Sequence, residues 1–192
     1  MVRTTCSNLD VTQSLFLEVM HPEFGLKSLP PKVDIYSVDN HLIQISFGTK
    51  RKLCPNRTMS GYHDWINRLE AHHLYAVYID KKYRNSKSPR ILCYELGHEL
   101  GHYLHCLNDR KAFHEYLYDP LKTASNFFEL VAELSILSYA AKHGGHDAVN
   151  YSKRYLNSRV FNAALRALER KASVKDILER KEDKEFIDSF WV

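Results

Sequence analysis

The sequence predicts an α+β fold, with a small antiparallel sheet packed on a pair of helices and a helical C-terminal part. Three observations lead there. Short runs rich in β-branched and aromatic residues lie only in the first half, at 33–38, 41–47 and 73–80. Two long segments with apolar residues at helical spacing follow, at roughly 89–107 and 120–143. The remainder, from 147 on, again carries helical periodicity. At 192 residues, 44% hydrophobic and 26% charged, the chain is expected to form a single domain large enough for a real core. Its sheet-containing half runs to about 87, the central helices occupy about 88–143, and the C-terminal helices about 147–192.

Taken in order, Asp10 to Met20 reads as a helix that ends before His21-Pro22. The runs 33–38 and 41–47 flank Asp39-Asn40, a good turn pair, and so predict a hairpin. Ile43, Ile45 and Phe47 alternate with Gln44 and Ser46, the mark of a half-buried strand. Ser60 is placed to cap a short helix whose Tyr62, Trp65, Ile66 and Leu69 share one face. His73 to Asp80 is a third strand, expected to lie at an exposed sheet edge. Lys81, Lys82, Arg84, Lys87 and Arg90 then form a basic loop, a solvated surface that can also steer an acidic segment.

Ser88 and Pro89 make a helix start, a side-chain cap followed by a proline whose missing N–H costs nothing there. Ile91, Leu92, Leu96, Leu100, Leu104 and Leu107 continue the helix to about 107. Within it stands His98-Glu99-Leu100-Gly101-His102, an H-E-x-x-H pentapeptide. Two histidines four apart on a helix face the same way, so both imidazoles can reach one metal ion. Glu99 is placed to take a proton from the water that such an ion activates. Gly97 and Gly101 cost about 1 kcal/mol each relative to alanine, and clear one face for a close approach.

A catalytic zinc site takes three protein ligands and keeps a fourth position open. His105 shares the face, but lies about 10 Å along the axis from residue 98, too far for bonds of about 2 Å. The longer metzincin pattern fails, because His105 and Asn108 occupy the places where it requires glycine and histidine. Cys54 resembles the upstream cysteine ligand of peptide deformylases, but Lys52-Leu53-Cys54-Pro55-Asn56 lacks the rest of that signature. Downstream, Asp119-Pro120 opens a second long helix and Gly144-Gly145 closes it. Its apolar residues run nearly all round, yet it carries Glu129 and Glu133 four apart on one face. Buried carboxylates must meet cations or a metal, and exposed ones need not, so spacing alone leaves their role open.

Tyr94-Glu95-Leu96-Gly97-His98-Glu99-Leu100-Gly101-His102-Tyr103-Leu104 resembles the core of the ImmA/IrrE family of zinc metallopeptidases. Ile79-Asp80 and the basic run after it are similar to that family's strand and loop. Glu129-Leu130-Val131-Ala132 is similar to its E-x-x-A pattern. The resemblance covers about 75–141. It departs where Glu133 and Ser135-Ile136 replace the family's usual asparagine and Phe-Ala pair. It implies Zn²⁺ held by His98, His102 and Glu129, with Glu99 as general base and Ala132 in close packing. Expected helpers are a carboxylate orienting a histidine, for which Glu133 is a candidate, and an oxyanion donor drawn from Tyr94, Tyr103, Tyr139, His143 and His146. The implied function is an intracellular endopeptidase that cuts a regulatory protein such as a DNA-binding repressor or an antitoxin. An extended substrate would pair with the sheet edge. The competing readings are a non-proteolytic zinc-containing interaction module and another zinc hydrolase such as a deformylase.

The remaining features bound these expectations. No run of about 18 apolar residues is present, so no membrane span is expected. The first ten residues lack the apolar core of a secretory signal, and Cys6, Cys54, Cys93 and Cys106 form no C-x-x-C pair. A cytoplasmic location with reduced thiols is expected. A net charge of +4 is too mild to predict nucleic-acid binding. Near the C-terminus, a helix is expected from about Ser173, the charged run 179–185 reads as a solvated face or fraying tail, and Phe186, Ile187, Phe190 and Trp191 are expected to fold back onto the core.

Overall fold

The computed structural model of the chain describes residues 7–38, 43–47, 75–80, 89–109, 123–143 and 158–192. Helix dominates them. α1 spans Ser7–Met20 and runs into a 3₁₀ turn, His21–Phe24, that carries Pro22 in its first turn. Gly25 closes that turn at φ 70°, a left-handed conformation that an L side chain rarely adopts. Strands β1 (Asp34–Val38), β2 (Ile43–Phe47) and β3 (Tyr75–Asp80) follow. Then come α2 (Pro89–Asn108), α3 (Thr123–Lys142), α4 (Ser158–Glu169), α5 (Val174–Glu179) and α6 (Lys184–Asp188).

The expected α+β class with an antiparallel sheet is corrected. The core is built by helices, and the three short strands form a mixed sheet in the order β1-β3-β2. β1 pairs with β3 in parallel, Asp34 opposite Ala76 through Val38 opposite Asp80. β2 pairs with β3 antiparallel, Ile43 opposite Ile79 through Phe47 opposite Tyr75. The predicted hairpin therefore does not form, because β3 lies between its two arms, and 73–80 supplies the central strand rather than an edge. The alternation of Ile43, Ile45 and Phe47 specifies which face a strand buries, not which strand lies beside it. Asp39-Asn40, the Ser60 segment and the basic loop 81–88 lie outside the described residues.

α2 and α3 are the centre of the molecule, with α1 on α2 and α4 on α3. Leu96, Leu100 and Leu104 of α2 share one core with Leu130, Val131, Leu134 and Leu137 of α3. Burying each such side chain contributes about 1.5–3 kcal/mol. The two helices approach closely because of the glycines. A Cβ on Gly101 would lie 3.0 Å from the Cα of Ala132 and would collide with Ser135 Oγ. On Gly97 it would meet only side chains, those of Ile136 and Phe16. Gly101 is thus matched to Ala132, the close-packing partner implied by the E-x-x-A resemblance.

Side chains reaching to backbone fasten the segment between the 3₁₀ turn and β1. Gln13 Nε2 donates to Val33 O at 3.0 Å, Tyr103 Oη to Pro31 O at 2.9 Å, and Asn108 Nδ2 to Phe24 O at 2.7 Å. Burial raises the Tyr103 hydroxyl to about 12, so it stays a donor. The C-terminal part differs from expectation in one respect. Ser173 caps α5 with a reciprocal capping box to Asp176, but the charged run is not one continuous face. Arg180 ends α5, Asp183 accepts from Phe186 N and starts α6, and Lys181 Nζ reaches Asp109 at 2.6 Å beyond the end of α2. Phe190 is buried in the core, with Phe186, Ile187 and Trp191 packed against it, as the fold-back expectation held. Of the helical periodicity expected from 147 on, the first described helix is α4, which runs from Ser158 to Glu169; residues 144–157 lie outside the described residues.

His105 sits in an aromatic box, stacked on Phe128 at 4.4 Å and edge-on to Phe127 at 5.8 Å. Its Nδ1 is buried without a hydrogen-bond partner among the described residues. Burial, reinforced by His102, lowers its pKa to about 3. A folded-state pKa below the unfolded value means that the unfolded chain binds the extra proton between about pH 6.5 and 3. Neutral His105 therefore contributes its stability in full above about pH 6.5, and loses up to about 1.4 kcal/mol per pH unit as pH falls through that window. His105→Phe should flatten the pH dependence of chemical denaturation between pH 6.5 and 4 in metal-free protein. An unchanged slope would show that His105 is protonated in the folded chain.

Candidate metal centre

The centre lies where α2 and α3 pass each other. His98 and His102 occupy the middle of α2, one turn apart, and Glu129 occupies the facing part of α3. One ligand atom from each of the three lies within 4.8 Å of the other two, so the group could hold a metal ion. Glu129 Oε2 is 3.2 Å from His98 Nε2, and its Oε1 is 3.6 Å from His102 Nε2. The imidazoles stand edge to face, with centroids 4.9 Å apart. Donors about 2.0–2.1 Å from a tetrahedral ion lie about 3.3 Å from one another, so both nitrogen–oxygen separations suit a shared ion. Two imidazoles and one carboxylate are also the donor types that such a site uses.

Glu133, one turn beyond Glu129, approaches the other side of the His98 ring. Its Oε2 is 3.1 Å from His98 Nδ1. The two acids differ in setting: the Glu129 side chain is 35% exposed and that of Glu133 only 1%. Burial opposes a charge on His98, but hydrogen bonds to Glu129 and Glu133, with the charges of both, outweigh it and hold its pKa well above the ordinary histidine value. Burial likewise opposes the charge on Glu129. Hydrogen bonds from His102 and His98 overcome that and hold its carboxyl well below the ordinary range. Glu99, next to His98 on the helix, is half-buried.

The structure thus brings together four residues singled out in the sequence: His98, His102, Glu129 and Glu133. His105 belongs to the core. Two suggested oxyanion donors are corrected. Tyr139 and His143 lie ten and fourteen residues beyond Glu129, about 15 and 21 Å along the helix direction. Tyr139 stacks on His143 at 4.9 Å and packs against Phe16 at 5.3 Å, at the far end of α3. Tyr103 is committed to Pro31 O. Tyr94 lies one turn before His98 on α2 with its side chain outside the described residues, as is the whole of His146.

No protein-family model, curated protein or solved structure matches the chain. Among the described residues, no helix is long and apolar enough to cross a membrane. Cys106 is buried.

Proposed function

We propose that this protein is a zinc-dependent endopeptidase that cuts a regulatory protein, such as a DNA-binding repressor. The observation that carries the reading is the convergence of His98, His102 and Glu129 from two neighbouring helices, with Glu99 beside the first ligand. The H-E-L-G-H and E-x-x-A resemblances support it. A bound Zn²⁺ would lower the pKa of a water towards about 7 and polarise the scissile carbonyl. Glu99 accepts the proton of the attacking water and returns it to the leaving amine. Glu129, the most exposed of the three ligands, marks the side from which a peptide approaches. The intact base next to the ligands favours an enzyme over a purely structural centre, and the carboxylate third donor favours a peptidase over a cysteine-ligated deformylase.

The expected edge pairing moves from β3 to β2. β2 packs on α2, and among the described residues it pairs only with β3. An extended substrate segment would add to its outer edge through main-chain hydrogen bonds. Consecutive N–H groups of a strand point to opposite edges, so prolines placed singly from Ile43 to Phe47 should act in alternation. At one parity they should lower cleavage with zinc retained, and at the other they should disrupt the sheet. Equal cleavage by all folded variants would remove β2 from substrate binding.

The function is tested by metal analysis of the purified protein, followed by incubation with candidate repressors and a mixed peptide library. One bound zinc per chain is expected, with cleavage lost to a chelator and restored by Zn²⁺. A zinc-loaded protein that cuts neither library nor repressors would support the interaction-module reading instead.

A further inference from the structure

We propose that Glu133 is the positioning residue of this centre, a buried carboxylate that fixes which nitrogen of His98 faces the metal. The inference rests on the reading of His98, His102 and Glu129 as a metal site. Three observations carry it. First, both nitrogens of one imidazole are engaged from successive turns of α3. Nε2 faces Glu129 Oε2 at 3.2 Å, and Nδ1 faces Glu133 Oε2 at 3.1 Å. The ring is held like a rung between two carboxylates four residues apart, a spacing of about 6 Å along a helix. Second, the two acids are separated by exposure, 35% against 1%. The more exposed one can meet an exchangeable ion, whereas the buried one lies behind the histidine.

Third, a buried carboxylate is costly unless it is hydrogen-bonded, and Glu133 sits among Val131, Ala132, Leu134 and Ser135, all buried. Its contact with His98 supplies a partner that hydrophobic packing would not require. An ionised carboxylate can only accept, so it selects the tautomer of His98 that carries the proton on Nδ1. That leaves Nε2 with its lone pair towards the metal, and an ionised acceptor also makes the imidazole a stronger donor to the ion. The His102 ring, by contrast, is placed by its own packing beside His98 and by Glu129.

The test compares wild type with Glu133→Gln and Glu133→Leu, using Zn²⁺ alone as the probe. Zinc affinity is measured by competition with a chromophoric chelator, and the ring nitrogens of His98 are followed by long-range ¹H–¹⁵N NMR at a pH high enough to leave the metal-free imidazole neutral. Glutamine retains an acceptor without charge, so His98 should keep the Nδ1–H form while zinc affinity falls severalfold. Leucine removes the acceptor. Affinity should then fall about 10–100-fold, and metal-free His98 should shift towards a mixture of tautomers. Melting curves of the metal-free variants identify any that fail to fold. If the leucine variant does so, the volume-conserving glutamine variant decides by its affinity. Wild-type affinity in a folded Gln or Leu variant, with unchanged His98 nitrogen shifts, would overturn the positioning role. Wild-type protein that binds no zinc would instead overturn the metal-site reading itself, so the two failures are distinct.

Discussion

Glu99→Gln should keep the metal centre loaded while lowering peptide cleavage by about 10²–10⁴-fold, the usual contribution of a positioned general base. Glutamine has nearly the same volume and keeps an acceptor, so the half-buried position should tolerate it. What it removes is the capacity to take a proton from water and carry it to the departing amine. Zinc content should be the same as in the wild type, because Glu99 is not in the group that could hold a metal ion. The comparison requires single-turnover rates on one cleaved peptide, so that slow product release does not mask the chemical step. A rate within a few-fold of wild type would remove Glu99 from the mechanism. Loss of zinc would mean that it holds the metal instead.

Gly101→Ala should weaken the fold and the metal centre together. In an exposed helix the same change stabilises by about 1 kcal/mol, through propensity alone. Here the added methyl would stand 3.0 Å from Ala132 Cα and 3.2 Å from Ala132 O. Backbone atoms cannot rotate away, so α2 and α3 must separate, and overpacking of this kind costs about 1–3 kcal/mol. For a chain of this size each 1 kcal/mol lowers Tm by about 2–4 °C. Gly101 lies between His98 and His102, and Ala132 lies between Glu129 and Glu133, so the separation falls at the level of the group that could hold a metal ion. Weaker zinc binding should therefore accompany the lower Tm. Gly97→Ala is the control: it meets the tip of Ile136, a flexible side chain, and should cost less. A Gly101→Ala protein with raised Tm and normal zinc affinity would show that the helices are not held apart by this contact.

How much could be read from the sequence depended on how local each signal was. The pairing of His98 with His102 is a matter of helical period, and one turn of α2 suffices to state it. Glu129 is different: thirty residues separate it from His98, and no spacing rule brings them together. Only the resemblance to an E-x-x-A helix selected it over Glu133, and the structure then gives the two acids separate places. The sheet was legible as strands but not as an arrangement. Ile43, Ile45 and Phe47 mark one strand, yet its neighbour comes from residues 75–80, which local alternation cannot specify. Tyr139 and His143 had suitable chemistry, and simple helix length would have excluded them. The break between α5 and α6 carried a readable signal, Asp183 three residues before Phe186, obscured by the surrounding charges.

The position of β3 has a consequence for how the chain reaches this structure. The first two strands emerge from the ribosome well before the one that joins them, with residues 48–74 in between. Until it arrives, neither can complete its ladder with β3, and pairing across so large a sequence separation delays the step. Nascent chains stalled before residue 75 should therefore show unprotected amides at 34–38 and 43–47 in hydrogen exchange. Such chains present open strand borders to one another, and they are the species in which self-association during synthesis should be sought.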